Sequence, residues 1–98
     1  NGKSREASAA LAAADLSEAS SYTLVVRGDL ELAGGKVDRA VTLYKKAHRM
    51  SPADPIPLLS MARAEQARGR NAAAREALSK VLKIVPENAE AKKLLAGL

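Results

Sequence analysis

The sequence has no cysteine, no phenylalanine and no tryptophan, and only two tyrosines and one histidine in 98 residues. Without cysteine there is no disulfide framework and no thiolate nucleophile. A lone histidine, His48, leaves no zinc site of the usual nitrogen and sulfur kind. His48 stands beside Arg49 near a helix end and reads as an exposed structural residue. No serine has a histidine and an orienting acid at a telling spacing. Asp29 and Glu31 are two apart on a helix and face different ways. Gly34-Gly35 is not followed by the Gly-Lys-Ser/Thr of a phosphate loop. The reading is of a chain that is not an enzyme and needs no cofactor and no metal. Also missing is a run of about 18 apolar residues such as a membrane span requires. The most apolar stretch near the start, Ala7 to Leu16, is alanine-dominated and broken by Asp15, so no signal-peptide core is seen either. These absences leave the compartment open, bacterial cytoplasm or periplasm alike. They do bear on stability. The core must be leucine, valine, isoleucine, methionine and alanine, and a chain this short buries only about 65% of its unfolded surface. Modest stability is expected.

What the chain does have is an internal echo. Gly35 to Pro52 returns 34 residues later as Gly69 to Pro86, pairing Gly35 with Gly69, Lys36 with Arg70, Ala40 with Ala74, Lys46 with Lys80 and Pro52 with Pro86. The same shift pairs Leu24 with Leu58, Glu31 with Glu65 and Ala33 with Ala67. A fixed period in this range marks a stack of supersecondary units, each of which buries its apolar face only against its neighbours. Each unit reads as two helices joined by a glycine turn, at Gly34-Gly35 and again at Gly69. Helices are expected over 21–33, 37–50, 55–68 and 71–84, with another starting after Asn88. Pro52 and Pro86 lie just beyond the second helix of each unit, where a helix cannot continue. Ser20, Asp54 and Asn88, spaced 34 apart, are the N-cap candidates, and Pro55 suits a first helical position. Small residues recur at facing places: Gly28 and Ala62 in the first helices, Ala40 and Ala74 in the second. Tyr44 and Leu78, four residues on, supply bulk. Val37, Ala40, Val41, Leu43, Tyr44, Ala47 and Met50 are expected to point inward.

This set resembles the tetratricopeptide repeat family. Gly28, Ala40, Tyr44, Ala47 and Pro52 fill the family's places in the first unit, and Ala62, Ala74, Leu78, Val81 and Pro86 fill them in the second. Two places depart: the family's frequent tryptophan is Leu24 and Leu58 here, and its frequent tyrosine is Glu31 and Glu65, which thins the core. The resemblance implies an all-α fold of tandem antiparallel helix hairpins, a right-handed α-solenoid of about six helices. Units then run over 21–54 and 55–88. Residues 1–20 are a partial preceding repeat or an N-terminal capping helix, and 89–98 the start of a third unit or a C-terminal cap. In the same register, residues around Ala7 to Leu16 stand where a second helix of a preceding unit stands, with Ala13 at the place of Ala47.

The family lines a concave groove with the first helix of each hairpin. By resemblance the groove here is Tyr22, Val25, Val26, Asp29 and Leu32, then Ile56, Leu59, Ser60, Arg63 and Gln66, then Glu90, Lys93 and Leu94. The function implied is a scaffold or adaptor module that binds a peptide or helix of a protein partner. A groove of this make-up suits an apolar or amphipathic segment. Chaperone-binding relatives grip a carboxylate with Lys and Asn where this chain has Val25, Asp29, Leu59 and Ser60, so that clamp is missing. A glutamate in place of Leu59 is expected to abolish capture and leave the helices alone. The chain opens on Asn1 and is rich in alanine and arginine, which we read as a fragment of a larger bacterial protein. Self-assembly through the groove or the open helical ends is the alternative, giving a homo-oligomer. The net charge of +5 is concentrated in the second unit and tail, at Arg63, Arg68, Arg70, Arg75, Lys80, Lys83, Lys92 and Lys93. A basic surface attracts nucleic acid, but the stacking aromatics that hold single strands are missing. A regulatory arm of an enzyme encoded elsewhere is a third rival.

Overall fold

The computed structural model describes residues 20–98, and among these it holds five α-helices and no strand. They are α1 (Ser21–Ala33), α2 (Val37–Met50), α3 (Ile56–Ala67), α4 (Asn71–Ile84) and α5 (Ala89–Ala96). The fold is all-helical, with α1 packed on α2, α3 on α4, and each pair stacked on the next. The partial repeat or cap expected over residues 1–20 lies, apart from Ser20, outside the described residues.

The turns form for the reason the glycines suggested. Gly35 and Gly69 have φ of 82° and 78°, the left-handed region that a side chain resists. Each sits one residue beyond its helix cap and closes two backbone bonds. Gly35 N donates to Leu32 O at 2.9 Å and Lys36 N to Glu31 O at 2.8 Å. Gly69 N donates to Gln66 O at 3.0 Å and Arg70 N to Glu65 O at 2.8 Å. This pair of bonds is the Schellman pattern, which satisfies the last carbonyls of α1 and α3. At the other ends, Ser20 Oγ accepts from Thr23 N at 3.1 Å and Asn88 Oδ1 from Ala91 N at 2.8 Å. Asp54 is not the N-cap itself. Pro55 takes that place with helical dihedrals, and Asp54 Oδ1 accepts from Ile56 N at 3.0 Å across the turn.

Two apolar clusters make the core. The first joins Leu24 and Val25 of α1 to Ala40, Val41, Tyr44 and Ala47 of α2, and includes Ala64 from α3. The second joins Leu58, Leu59 and Ala62 of α3 to Ala77, Leu78 and Val81 of α4, and includes Ala91 from α5. Met61 is half-buried and packs against both. Ala40 and Ala74 are fully buried where close helix approach was expected. Met50, expected inward, is 48% exposed: Ser51, the next residue, bonds to Ser21 at the start of α1, and the last side chain of α2 is left turned to solvent.

In the first hairpin the small residue and the bulky one meet directly. A Cβ placed on Gly28 would lie 2.5 Å from Cε1 of Tyr44, so the bare glycine is what lets the ring lie flat against α1. The thinned places hold charge instead of tyrosine. Glu65 is buried, and Arg68 donates to it at 2.6 Å while also pairing with Asp38 in the first turn of α2. Partial burial works against the Arg68 charge, yet the two carboxylates outweigh it and hold the guanidinium above its ordinary range. Glu31, the equivalent in the first unit, pairs with Arg27 at 3.8 Å. His48, expected exposed, is half-buried, and its Nδ1 is enclosed without a hydrogen-bond partner.

Candidate functional site

The glycine at 28 also shapes the surface. With the Tyr44 ring drawn against α1, its hydroxyl reaches the far side of the helix and donates to Asp29 Oδ1 at 2.6 Å. A buried tyrosine needs such a partner for its polar end. Burial, then the hydrogen bond to Asp29 and the charge of that carboxylate, push the Tyr44 phenol well above its ordinary range, with Arg63 opposing. The phenol therefore stays neutral and acts as a fixed donor.

Around this hydroxyl lies an open cavity of about 370 Å³ lined by Asp29, Leu32, Ala33, Tyr44, Ser60 and Arg63. It is a cleft between α1 and α3, the first helices of two successive hairpins, with Tyr44 of α2 as its floor. Arg63 stands on its rim and pairs with Glu90 of α5 at 3.2 Å, both ends half in solvent. An exposed pair of this kind is worth little and can be exchanged for a ligand's charge. The cleft thus offers an apolar wall, a fixed carboxylate and a movable guanidinium within one opening. Among the described residues no group of three or more histidine, aspartate or glutamate side chains is placed to hold a metal ion. No helix among them is long and apolar enough to cross a membrane.

The groove residues expected from sequence divide three ways. Asp29, Leu32, Ser60 and Arg63 come together in the cleft. Tyr22 and Ile56, 75% and 49% exposed, are apolar surface on the same two helices, while Gln66, Glu90 and Lys93 are exposed on α3 and α5. Val25 and Leu59 are core. Leu59 is only 2% exposed within the second cluster, because α4 covers that side of α3. A glutamate at Leu59 would therefore attack the fold rather than the groove. Ser60, although buried, still reaches the cleft, and Leu94 packs against the second cluster. Val26 is 39% exposed and does not line the cleft. Sequence reasoning missed Tyr44 as a lining residue. The available signal was its hydroxyl, which a fully buried ring cannot leave without a partner.

A family model described as tetratricopeptide repeat matches residues 31–98 of the chain. No curated protein sequence matches it.

Proposed function

The chain belongs to the tetratricopeptide repeat family, and from that premise we propose that it holds a peptide or helix of a partner protein in the cleft between α1 and α3. Repeats of this family generally mediate protein–protein interaction. The finer reading is a non-catalytic adaptor or scaffold module within a larger bacterial protein. One observation carries it: Asp29 and Leu32 of one hairpin and Ser60 and Arg63 of the next line a single opening. The mixture of an apolar wall and two opposite charges favours an amphipathic segment. Its apolar side chains rest on Leu32 and Ala33, a cation or amide meets Asp29, and a carboxylate displaces Glu90 from Arg63. Tyr22 and Ile56 extend the apolar contact along the same helices.

The test is selection of a phage-displayed peptide library on the full chain. Amphipathic sequences should be enriched, and Arg63→Glu should weaken their binding about tenfold, the effect of one lost charge contact of about 1.4 kcal/mol. Lys80→Glu, on α4 and away from the cleft, should leave binding unchanged. Enriched peptides that bind Arg63→Glu as tightly as the wild type would refute the cleft. Enrichment of the chain's own segments, with a mass that rises with concentration, would favour self-assembly instead.

A further inference from the structure

The charge of this chain is sorted by layer. α1 touches α3, while α2 is packed on α1 and α3, and α4 on α3 and α5. The second helices, α2 and α4, therefore form a layer of their own behind the one that opens into the cleft. Together α2 and α4 carry seven lysine and arginine residues and two acidic ones, whereas α1, α3 and α5 carry four of each. With about 3.6 residues to a turn, buried Ala40, Val41, Tyr44 and Ala47 take one side of α2, and Arg39, Lys45, Lys46 and Arg49 fall on the other. One period on, Lys80 and Lys83 of α4 repeat Lys46 and Arg49. Of these six cations Lys46 is half-buried and the others are exposed. The two carboxylates of the layer do little to offset them. Asp38 pairs with Arg68 at the seam between hairpins, and Glu76 reaches only Lys80, at 3.6 Å. Among the described residues no carboxylate pairs with Arg39, Lys45, Lys46, Arg49 or Lys83. Like charges gathered on one face repel one another, and an anionic partner relieves that repulsion.

We propose that the outer side of α2 and α4 docks the protein on an anionic membrane surface, its cations meeting the phosphates of lipid headgroups. A group of about four to eight lysine and arginine residues on the polar side of amphipathic helices is the usual make-up of such a surface, and both helices bury their opposite sides in the core. Lys45, Lys46, Lys80 and Lys83 make up most of the group. A lysine is a compact point charge without the fork that grips one phosphate or one base in a set geometry, so it suits a diffuse field of headgroups. Met50 stands half-exposed beside Arg49 and adds an apolar side chain at the same end of α2, fit for the boundary between headgroups and acyl chains. Nucleic acid is the poorer fit. Tyr44 is buried and Tyr22 stands on α1, so no aromatic ring faces outward from this layer to stack on a base. The cleft opens on the other layer, so the inference stands whether or not the cleft binds a partner.

Sedimentation of the full chain with lipid vesicles at low ionic strength tests it. The chain should pellet with vesicles of phosphatidylglycerol and phosphatidylcholine in equal parts and stay in solution with phosphatidylcholine alone. Added salt should release it, because the charges concerned are exposed. Each cation near such a surface changes partitioning roughly fivefold, so Lys45→Gln with Lys83→Gln should lower it about twenty-five-fold. Both side chains are exposed, and far-ultraviolet circular dichroism should show the helices intact. Adding Tyr22→Lys and Gln66→Lys, exposed on α1 and α3, restores the net charge on the other layer and should not restore pelleting. Failure to pellet with the anionic vesicles would overturn the proposal, as would pelleting that the first pair of changes leaves alone. Recovery in the charge-restored variant would overturn it in favour of net charge without a docking face. Retention on duplex DNA at a salt concentration that frees the vesicles, lost with Lys45→Gln and Lys83→Gln, would assign the face to nucleic acid instead.

Discussion

The contact between Gly28 and Tyr44 can be turned into a quantitative test by making the first hairpin imitate the second, where Ala62 and Leu78 hold the same places. Gly28→Ala alone brings two opposing effects. An alanine in a helix interior is favoured over glycine by about 1 kcal/mol. Against this, the new methyl would lie 2.5 Å from Cε1 and 2.9 Å from Cδ1 of Tyr44, whereas carbon atoms settle at about 3.5–4.0 Å. The ring must retreat by about an ångström, which disturbs its packing in the first cluster and strains its 2.6 Å tether to Asp29. Overpacking of this kind costs about 1–3 kcal/mol, and loosening a hydrogen bond to a charged acceptor adds about 1 kcal/mol or more. The net is a loss of about 1–3 kcal/mol, or roughly 4–24 °C in Tm for a domain this small. Tyr44→Leu alone leaves a void beside Gly28 and costs about 2–4 kcal/mol. In that background Gly28→Ala should change sign and stabilise by about 1 kcal/mol, filling the void and firming the helix. The assay is urea denaturation of the four proteins followed by far-ultraviolet circular dichroism, with the coupling taken from the cycle. Coupling of about 2–4 kcal/mol is expected. A Gly28→Ala effect of the same sign and size in both backgrounds would refute the reasoning.

The adjacent turn glycines offer a contrast. Gly34 has an ordinary negative φ and room for a methyl, so Gly34→Ala should stabilise by a few tenths of a kcal/mol through the unfolded chain. Gly35→Ala meets no neighbour within 4 Å but is held at φ 82°, and should cost about 1–2 kcal/mol; equal effects at the two sites in chemical denaturation would count against the turn geometry. The raised phenol of Tyr44 makes a prediction for alkaline solution. A group that ionises later in the folded state contributes stability that is complete below its unfolded value, about pH 10 for tyrosine, and fades as pH climbs above it. Wild-type denaturation midpoints should therefore fall faster above pH 10 than those of Tyr44→Phe, and parallel curves would mean that the ring is not protected in the way described.

Much of this fold was legible because the period supplies its own controls. Gly35 and Gly69, Ser20 and Asn88, and Ala40 and Ala74 each occur in register, and a backbone requirement that recurs cannot be an accident of composition. The helix bounds followed from these residues to within a residue. The cleft was only half legible. Asp29 and Arg63 could be placed on the right helices by periodicity, but the resemblance put Val25 and Leu59 in the groove and they lie in the core. Periodicity gives the angle of a side chain about its own helix. Whether a neighbouring hairpin covers that angle depends on how far the hairpins are rotated from one another, which no local pattern encodes. Glu65 shows the limit from the other direction. Read alone it thins the core, yet Arg68 three residues on and Asp38 in another hairpin make it a buried anchor between units. Such a partnership spans sequence separations that no single-helix reasoning can rank.

Met61 has a mechanical consequence. The two apolar clusters meet through it, and a methionine is an unbranched chain that fills irregular gaps in several rotamers. A branched or aromatic residue there would fix one angle between successive hairpins. Methionine fills the joint and can repack there in more than one rotamer. Each hairpin is drawn tight where glycine and alanine let its helices approach, while the seam between hairpins is filled by Met61 and bridged by Arg68 from Glu65 to Asp38.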